Sequence, residues 1–214
     1  MNPYYSFCDL PAPPSWLAFD VVRAAEVGLR TNQNLQFVRR DYADTDEHLA
    51  EYRRTQSEFH IGADTYSRAK YRRYNLSERS MLWIAENIGS VSQASSQVFT
   101  EGSAFYPHTD GGPRRYILNY LIRSGGPVNT VFYQEPGQDA VRDTAQPLNI
   151  LDSNDLIELD RVEIPERTWT VLFGKVLHAV TGISGTRIQL SLALSAEEFV
   201  KVKERFGISL KYYG

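Results

Sequence analysis

Residues 186–194 read TRIQLSLAL, and this stretch decides the fold class. Polar and apolar side chains alternate along it, and a period of two is typical of a β-strand with one buried face. The polar set is Arg187, Gln189 and Ser191, which we expect on one side of a sheet. A buried arginine needs an anion, and the planar fork of its N–H groups matches a carboxylate.

The same short period recurs from residue 94 onward. Turn signals such as GGP at 111–113 and SGGP at 124–127 separate the segments. We predict strands around residues 98–102, 116–123, 130–134, 156–162, 169–173, 176–180 and 187–194. Many short strands with turns between them predict a mainly β protein with flanking helices, whose core is a double-stranded β-helix (jelly-roll, cupin-like).

Helical periodicity is confined to the two ends of the chain. Apolar side chains near helical spacing predict helices at 16–30 and 76–88, and charged side chains that can pair on one surface predict a polar helix at 46–59. A capping box, SAEE at 195–198, predicts a C-terminal helix that ends at Gly207. We therefore expect a single domain with three parts. These are an N-terminal arm and helical support region (1–93), a barrel core (94–195) and a C-terminal helix (196–214).

His108-Thr109-Asp110 is the first candidate for chemistry. At a strand end, residues i and i+2 share a face, so this H-x-D pair can bind one metal from one side. His178, in the predicted strand 176–180, can supply a third ligand from another strand. Two imidazoles and a carboxylate form the facial triad of non-haem Fe(II) oxygenases, which leaves open positions at the metal. Taken singly, His108 and Asp110 could equally be surface turn residues, and a lone histidine such as His178 is more often a hydrogen-bonded core residue.

The order H-x-D, then His178, then Arg187 resembles the Fe(II)/2-oxoglutarate-dependent dioxygenase superfamily. Residues 97–194 are similar to the β core of that family. Segments 115–121 and 129–133 are similar to the strand pair after H-x-D in small bacterial and phage members, which are similar to prolyl and amino-acid hydroxylases.

The resemblance implies a set of roles. His108, Asp110 and His178 would hold Fe(II), and Arg187 would hold the far carboxylate of 2-oxoglutarate. The reaction would consume O₂ and 2-oxoglutarate, release succinate and CO₂, and hydroxylate a C–H bond, with no catalytic residue beyond the metal centre.

Two further residues are expected to help bind 2-oxoglutarate, namely Asn119 and Ser191. A buried asparagine needs hydrogen-bond partners, and a neighbouring backbone group would serve equally well. Ser191 lies four residues after Arg187, and Gln189 takes the position where the family motif has serine. This departure leaves the details of 2-oxoglutarate binding open.

The substrate is expected to be a small amino-acid-like metabolite or a peptide. Tyr106, two residues before His108, and Arg115 are candidate substrate-binding residues, although packing and a solvated turn are the alternatives. The polar residues 135–155 form a long loop, which is either a lid over the substrate or a passive excursion.

Composition excludes several classes of protein. The chain has 214 residues, a formal net charge of −3 and one cysteine, so neither nucleic-acid binding nor a disulfide framework is expected. The N-terminus lacks the pattern of a signal peptide, and no stretch has the length and apolarity of a membrane span. We expect a cytoplasmic monomer or homodimer.

Two other functions stay open on the sequence alone. One is a non-oxygenase, cupin-like metal-binding protein, such as a sensor or an isomerase. The other is an interaction protein that uses the barrel only as a scaffold, which would leave two histidines and an aspartate converging without a task. Arg187 discriminates between the first of these and the oxygenase, because a cupin-like metal site needs no buried carboxylate-binding arginine.

Overall fold

The computed structural model describes residues 3–31, 71–99, 105–110, 114–142 and 153–210. Ten strands lie in these ranges: β1 (Tyr5–Cys8), β2 (Tyr71–Tyr74), β3 (Gln93–Phe99), β4 (Phe105–His108), β5 (Tyr116–Arg123), β6 (Asn129–Gln134), β7 (Ile157–Glu163), β8 (Trp169–Phe173), β9 (Leu177–Thr181) and β10 (Arg187–Leu194). The helices are α1 (Ser15–Thr31), α2 (Glu78–Asn87) and α3 (Ala196–Phe206), with a 3₁₀ turn at Ser153–Asp155. The helix predicted at 46–59 lies outside the described residues.

The strands form two antiparallel sheets. One has six strands in the order β1-β8-β5-β10-β3-β2, and the other has four in the order β4-β9-β6-β7. From β3 to β10 the chain passes repeatedly from one sheet to the other, so strands that are neighbours in space are mostly distant in sequence. Eight strands divided between two sheets in this way make the jelly-roll core that the sequence predicted.

Helices cover the outer face of the six-stranded sheet. Ser96 in β3 donates its hydroxyl to the Val21 carbonyl of α1 at 2.9 Å. The Tyr116 ring in β5 stacks on Phe199 of α3, with ring centroids 3.9 Å apart. Leu190 of β10 is fully buried on this side. The outer face therefore carries the main hydrophobic core.

Local sequence sets the ends of α3 as predicted. The Ser195 hydroxyl accepts a hydrogen bond from the Glu198 N–H, and the Glu198 carboxylate accepts one from the Ser195 N–H at 2.7 Å. Gly207 ends the helix with φ 64°, a left-handed conformation that costs glycine little. No helix in the described part of the chain combines the length and apolarity that crossing a membrane requires.

The inner faces of the two sheets look toward each other. Tyr5 of β1 stacks on Phe132 of β6, with centroids 5.7 Å apart and rings 9° from parallel. Tyr5 lies opposite Leu172 in the β1–β8 register, so Leu172 and residue 170 of β8 share this inward face. On the four-stranded sheet, Phe132 lies opposite His178 in the register of β6 and β9. The space between the sheets is therefore bounded by the face that includes residue 170 and by the face that includes His178.

Candidate metal and carboxylate site

The three predicted metal ligands converge at one end of the four-stranded sheet. His108 ends β4 and pairs in register with His178 of β9, and their ring centroids are 4.4 Å apart. Asp110 follows two residues later, and its Oδ2 is 3.6 Å from His178 Nε2. One donor atom from each residue lies within 4.8 Å of the other two. The H-x-D spacing at a strand end thus brings two donors to the strand that carries the third.

The tautomer of His178 follows from its backbone contact. Its Nδ1 is 2.9 Å from the carbonyl oxygen of Val176. A carbonyl only accepts hydrogen bonds, so Nδ1 carries a proton and, when the ring is neutral, Nε2 keeps its lone pair. That lone pair is on the Asp110 side of the ring, where a metal ligand is needed. Backbone hydrogen bonds of this kind commonly orient metal-binding histidines.

The turn between β8 and β9 fixes the main chain at Asp110. The Asp110 N–H donates to the Gly174 carbonyl at 2.8 Å, and the Lys175 ammonium donates to the Asp110 carbonyl at 3.2 Å. A Cβ on Gly174 would lie 2.6 Å from the Arg114 carbonyl oxygen and 3.1 Å from Asp110 Cβ. Only glycine allows this approach without displacement, so the turn is shaped around the aspartate.

One pair of these donor atoms has a separation that a first-row divalent metal can bridge. Two donors held about 2.1 Å from one ion can be at most about 4.2 Å apart. The 3.6 Å between His178 Nε2 and Asp110 Oδ2 falls within that limit. Imidazole nitrogen together with one carboxylate suits iron, zinc, nickel or copper, so the geometry supports a metal centre without selecting the ion.

The inner face of the six-stranded sheet is polar and buried. Alternate residues of four neighbouring strands contribute to it: Ser95, Gln97, Asn119, Thr170, Arg187, Gln189 and Ser191. Asn119 lies opposite Ser191 on one side and opposite Thr170 on the other. The predicted polar face of β10 is therefore confirmed, and it extends across the sheet as what we call the inner polar face.

Arg187 is the only cation in this set, and it is 3% exposed. Burial lowers the pKa of its guanidinium to about 10, because water no longer stabilises the charged form. Within the described residues it has no ion-pair partner, and its Nε makes no hydrogen bond. A buried charge is costly unless an opposite charge accompanies it. Arg187 is thus suited to bind an anion between the sheets.

Other groups on the inner polar face also lack partners among the described residues. These atoms are Asn119 Oδ1, Thr170 Oγ1 and Gln189 Oε1. The Gln189 amide instead donates from Nε2 to Gln97 Oε1 at 2.9 Å. Buried polar atoms are nearly always hydrogen-bonded, so several unsatisfied ones on one face point to a ligand-binding surface.

Sequence reasoning identified part of this face and missed the rest. Arg187, Asn119 and Ser191 were singled out, whereas Gln97, Ser95 and Thr170 were not. The sequence could have indicated Gln97 and Ser95, because β3 reads QASSQVF and carries polar residues at alternate positions. Thr170 gave none, since threonine is an ordinary strand residue.

The two substrate-binding candidates are placed differently. The side chain of Tyr106 lies outside what the structure describes. The Arg115 guanidinium is 5.8 Å from the Phe173 ring centroid and interacts with the hydroxyl of Tyr116. Burial raises the pKa of Tyr116, and Arg115 partly offsets that rise. These contacts direct Arg115 toward aromatic rings that pack near α3, and its role in substrate binding remains a prediction.

The first part of the long loop is attached to the site. Val141 forms a β-bridge with Val176, and the Arg142 N–H donates to the Lys175 carbonyl at 2.7 Å. The Arg142 side chain also pairs with Glu135. Val141 and Arg142 therefore pack against the turn that holds Asp110, and Glu135 is joined to them through Arg142. Residues 143–152 lie outside the described residues, and the lid remains a prediction.

Comparisons with known proteins establish neither a family nor a function for this chain. No family model and no curated protein matches the sequence. Among solved structures, the chain is similar to one described as a cupin-like protein from Thermotoga maritima. The identity is 16%, the match covers 50% of this chain and 59% of that one, and the TM-score is 0.24. The jelly-roll assignment therefore stands on the strand order of this chain.

Proposed function

We propose that this protein is an Fe(II)- and 2-oxoglutarate-dependent oxygenase that hydroxylates a C–H bond and releases succinate and CO₂. One observation carries the proposal. Arg187 is a buried cation with no ion-pair partner in the described part of the chain, and it lies on the inner polar face opposite the sheet that carries His178. A metal centre alone does not need such a residue, whereas a carboxylate ligand does.

The roles of the chain's own groups follow from their surroundings. Bound Fe(II) would supply the redox chemistry that couples O₂ and 2-oxoglutarate to C–H oxidation. His108, Asp110 and His178 would hold it, with the His178 tautomer fixed by Val176. Arg187 would pair with the far carboxylate of 2-oxoglutarate. Burial between the sheets would keep water from competing for that carboxylate, which strengthens the charge pair.

Two residues of the inner polar face would complete the 2-oxoglutarate site. Asn119 and Ser191 face each other in the β5–β10 register. The Asn119 Nδ2 group and the Ser191 hydroxyl can donate hydrogen bonds to a bound carboxylate or keto oxygen. The substrate would be a small amino-acid-like metabolite or a peptide, and the enzyme would act as a cytoplasmic monomer or homodimer.

The alternative is a cupin-like metal-binding protein without oxygenase activity. One observation favours it. Gln189, at the position where the dioxygenase motif has serine, is hydrogen-bonded to Gln97 and so is partly committed within the protein. The His-Asp-His cluster serves either function. Substitution of Arg187 distinguishes the two functions, because only the oxygenase needs the charge of this residue.

Anaerobic titration with Fe(II) and 2-oxoglutarate tests the proposal. The wild-type protein should develop the visible absorption band of 2-oxoglutarate chelated to Fe(II), and admitting O₂ should yield succinate. His178→Ala should bind little Fe(II), while Arg187→Met should bind Fe(II) but need far more 2-oxoglutarate to give the band. If wild-type protein binds Fe(II) and shows no band at saturating 2-oxoglutarate, the cupin-like alternative is correct.

A further inference from the structure

The two oxygens of the Asp110 carboxylate have different neighbours. Oδ2 is 3.6 Å from Nε2 of His178, the atom that keeps its lone pair. Oδ1 is 3.1 Å from Nε of Arg114. The contact with Arg114 is an ion pair by distance, although the N–H direction is poor for a hydrogen bond. Both side chains are about six-sevenths buried, with 15% and 13% exposure, so water screens the pair only weakly.

The backbone of Asp110 is already fixed from both ends. Its N–H is bonded to Gly174 and its carbonyl to Lys175, which leaves side-chain rotation as the main remaining freedom. Rotation about the last side-chain bond turns the plane of the carboxylate, and a half-turn restores the same arrangement because its two oxygens are equivalent. A cation beside one oxygen disfavours the intermediate angles, because it holds that oxygen in place.

We infer that Arg114 is a positioning residue for the metal site. It holds Oδ1 of Asp110 so that the carboxylate offers Oδ2 alone, on the side where His178 presents Nε2. This inference rests on the proposed metal site and extends it to a residue outside the ligand set. A carboxylate held by one oxygen takes one coordination position, which keeps more positions free for a chelating co-substrate.

A different role for Arg114, competition with the metal, would change metal affinity in the opposite direction. A guanidinium near the site could act merely as a positive charge that competes with the metal for Asp110. In that case its removal would tighten metal binding. If Arg114 positions the carboxylate, its removal weakens binding, and replacements that keep only the charge do not restore it. Partners that orient metal ligands commonly contribute about 10- to 100-fold in metal affinity.

Calorimetric titration with Co²⁺ tests the inference, using Arg114→Ala and Arg114→Lys. The matched control is Arg161→Ala, which removes a guanidinium from a surface pair with Glu158 at 2.7 Å. We expect affinity to fall about 10- to 100-fold in Arg114→Ala. Arg114→Lys should also bind more weakly than wild type, because its ammonium does not occupy the position of Nε. The control should stay within about twofold of wild type, as expected for an exposed ion pair.

A second readout reports the coordination itself. The visible spectrum of bound Co²⁺ should change in Arg114→Ala, because the freed carboxylate can offer both oxygens. If Arg114→Ala fails to fold, Arg114→Lys carries the test by itself. Unchanged or tighter Co²⁺ binding by either folded variant overturns the role of Arg114 while leaving the metal site intact. If the wild-type protein binds no metal, the proposed site and this inference both fail.

Discussion

Replacing Arg187 with methionine should make the ligand-free protein more stable while removing its response to 2-oxoglutarate. The guanidinium is 3% exposed and its pKa falls to about 10 through burial. Each tenfold change in an acid constant is worth about 1.4 kcal/mol, so a pKa this far below the ordinary value of arginine corresponds to a few kcal/mol. At neutral pH the group is still protonated, so the folded protein bears this cost.

Methionine keeps an unbranched side chain and removes the charge. It does not fill the full volume of arginine, and the lost packing offsets part of the gain. We therefore expect the free energy of unfolding to rise by about 1–2 kcal/mol. For a chain of this size, that corresponds to an increase in Tm of about 2–8 °C.

The pH dependence has a definite sign. Because the pKa of Arg187 is lower in the folded state, the unfolded chain binds more protons between the two pKa values. Stability from this group therefore rises as the pH increases from about 10 toward the pKa of the unfolded chain. The Arg187→Met variant should lose that contribution, so its advantage over wild type should shrink above about pH 10.

Thermal denaturation with and without 2-oxoglutarate, under anaerobic conditions with Mn²⁺, measures both the stability of Arg187→Met and its response to 2-oxoglutarate. Ligand should raise the Tm of wild-type protein and leave that of Arg187→Met nearly unchanged. Arg123→Met is a matched control, because Arg123 is an exposed arginine on the neighbouring strand β5. If Arg187→Met is folded but destabilised by more than about 1 kcal/mol, Arg187 has a structural partner and the argument from an unpaired cation is wrong.

Three other substitutions test the turn, the inner polar face and the outer face. Gly174→Ala should lower the free energy of unfolding by about 1–3 kcal/mol and weaken Co²⁺ binding, because its Cβ would lie 2.6 Å from the Arg114 carbonyl; unaltered urea denaturation and metal titration would contradict this. Thr170→Val should stabilise the ligand-free protein by about 1 kcal/mol in urea denaturation, since it removes a buried hydroxyl without a described partner, and a loss would reveal one. Ser195→Ala should cost about 1 kcal/mol by removing the capping box, with Co²⁺ affinity unchanged as the check that α3 acts only on stability.

The strand pattern and the convergence of His108, Asp110 and His178 could be predicted from the sequence. The alternation in 186–194 predicted which side chains of β10 share a face, because a strand has only two faces. The H-x-D spacing placed two donors together for the same reason. The third donor, His178, comes close to the other two because its strand β9 pairs with β4, so that His178 lies opposite His108.

Cross-strand register and turn geometry could not be predicted from the sequence. Thr170 joins the inner polar face because β8 pairs with β5 so that it lies opposite Asn119, which no local pattern encodes. Arg114 is the arginine that reaches Asp110, whereas the adjacent Arg115 lies near Phe173 and interacts with Tyr116. No local sequence pattern distinguishes these two adjacent arginines.

Side chains on the outer face of the six-stranded sheet stabilise the protein, whereas polar side chains on its inner face cost stability. This difference supports a functional role for the inner face. On the outer face, Tyr116 stacks on Phe199 and the α3 cap is fully hydrogen-bonded, so substitutions there should destabilise the protein. On the inner face, Arg187 and Thr170 are buried with polar atoms that have no partner in the described part of the chain, so apolar substitutions there should stabilise the protein. Proteins retain such unfavourable groups mainly where binding or catalysis requires them. A gain in stability at Arg187 and Thr170, coupled to a loss of carboxylate binding at Arg187, would locate the site by energetics independently of its geometry.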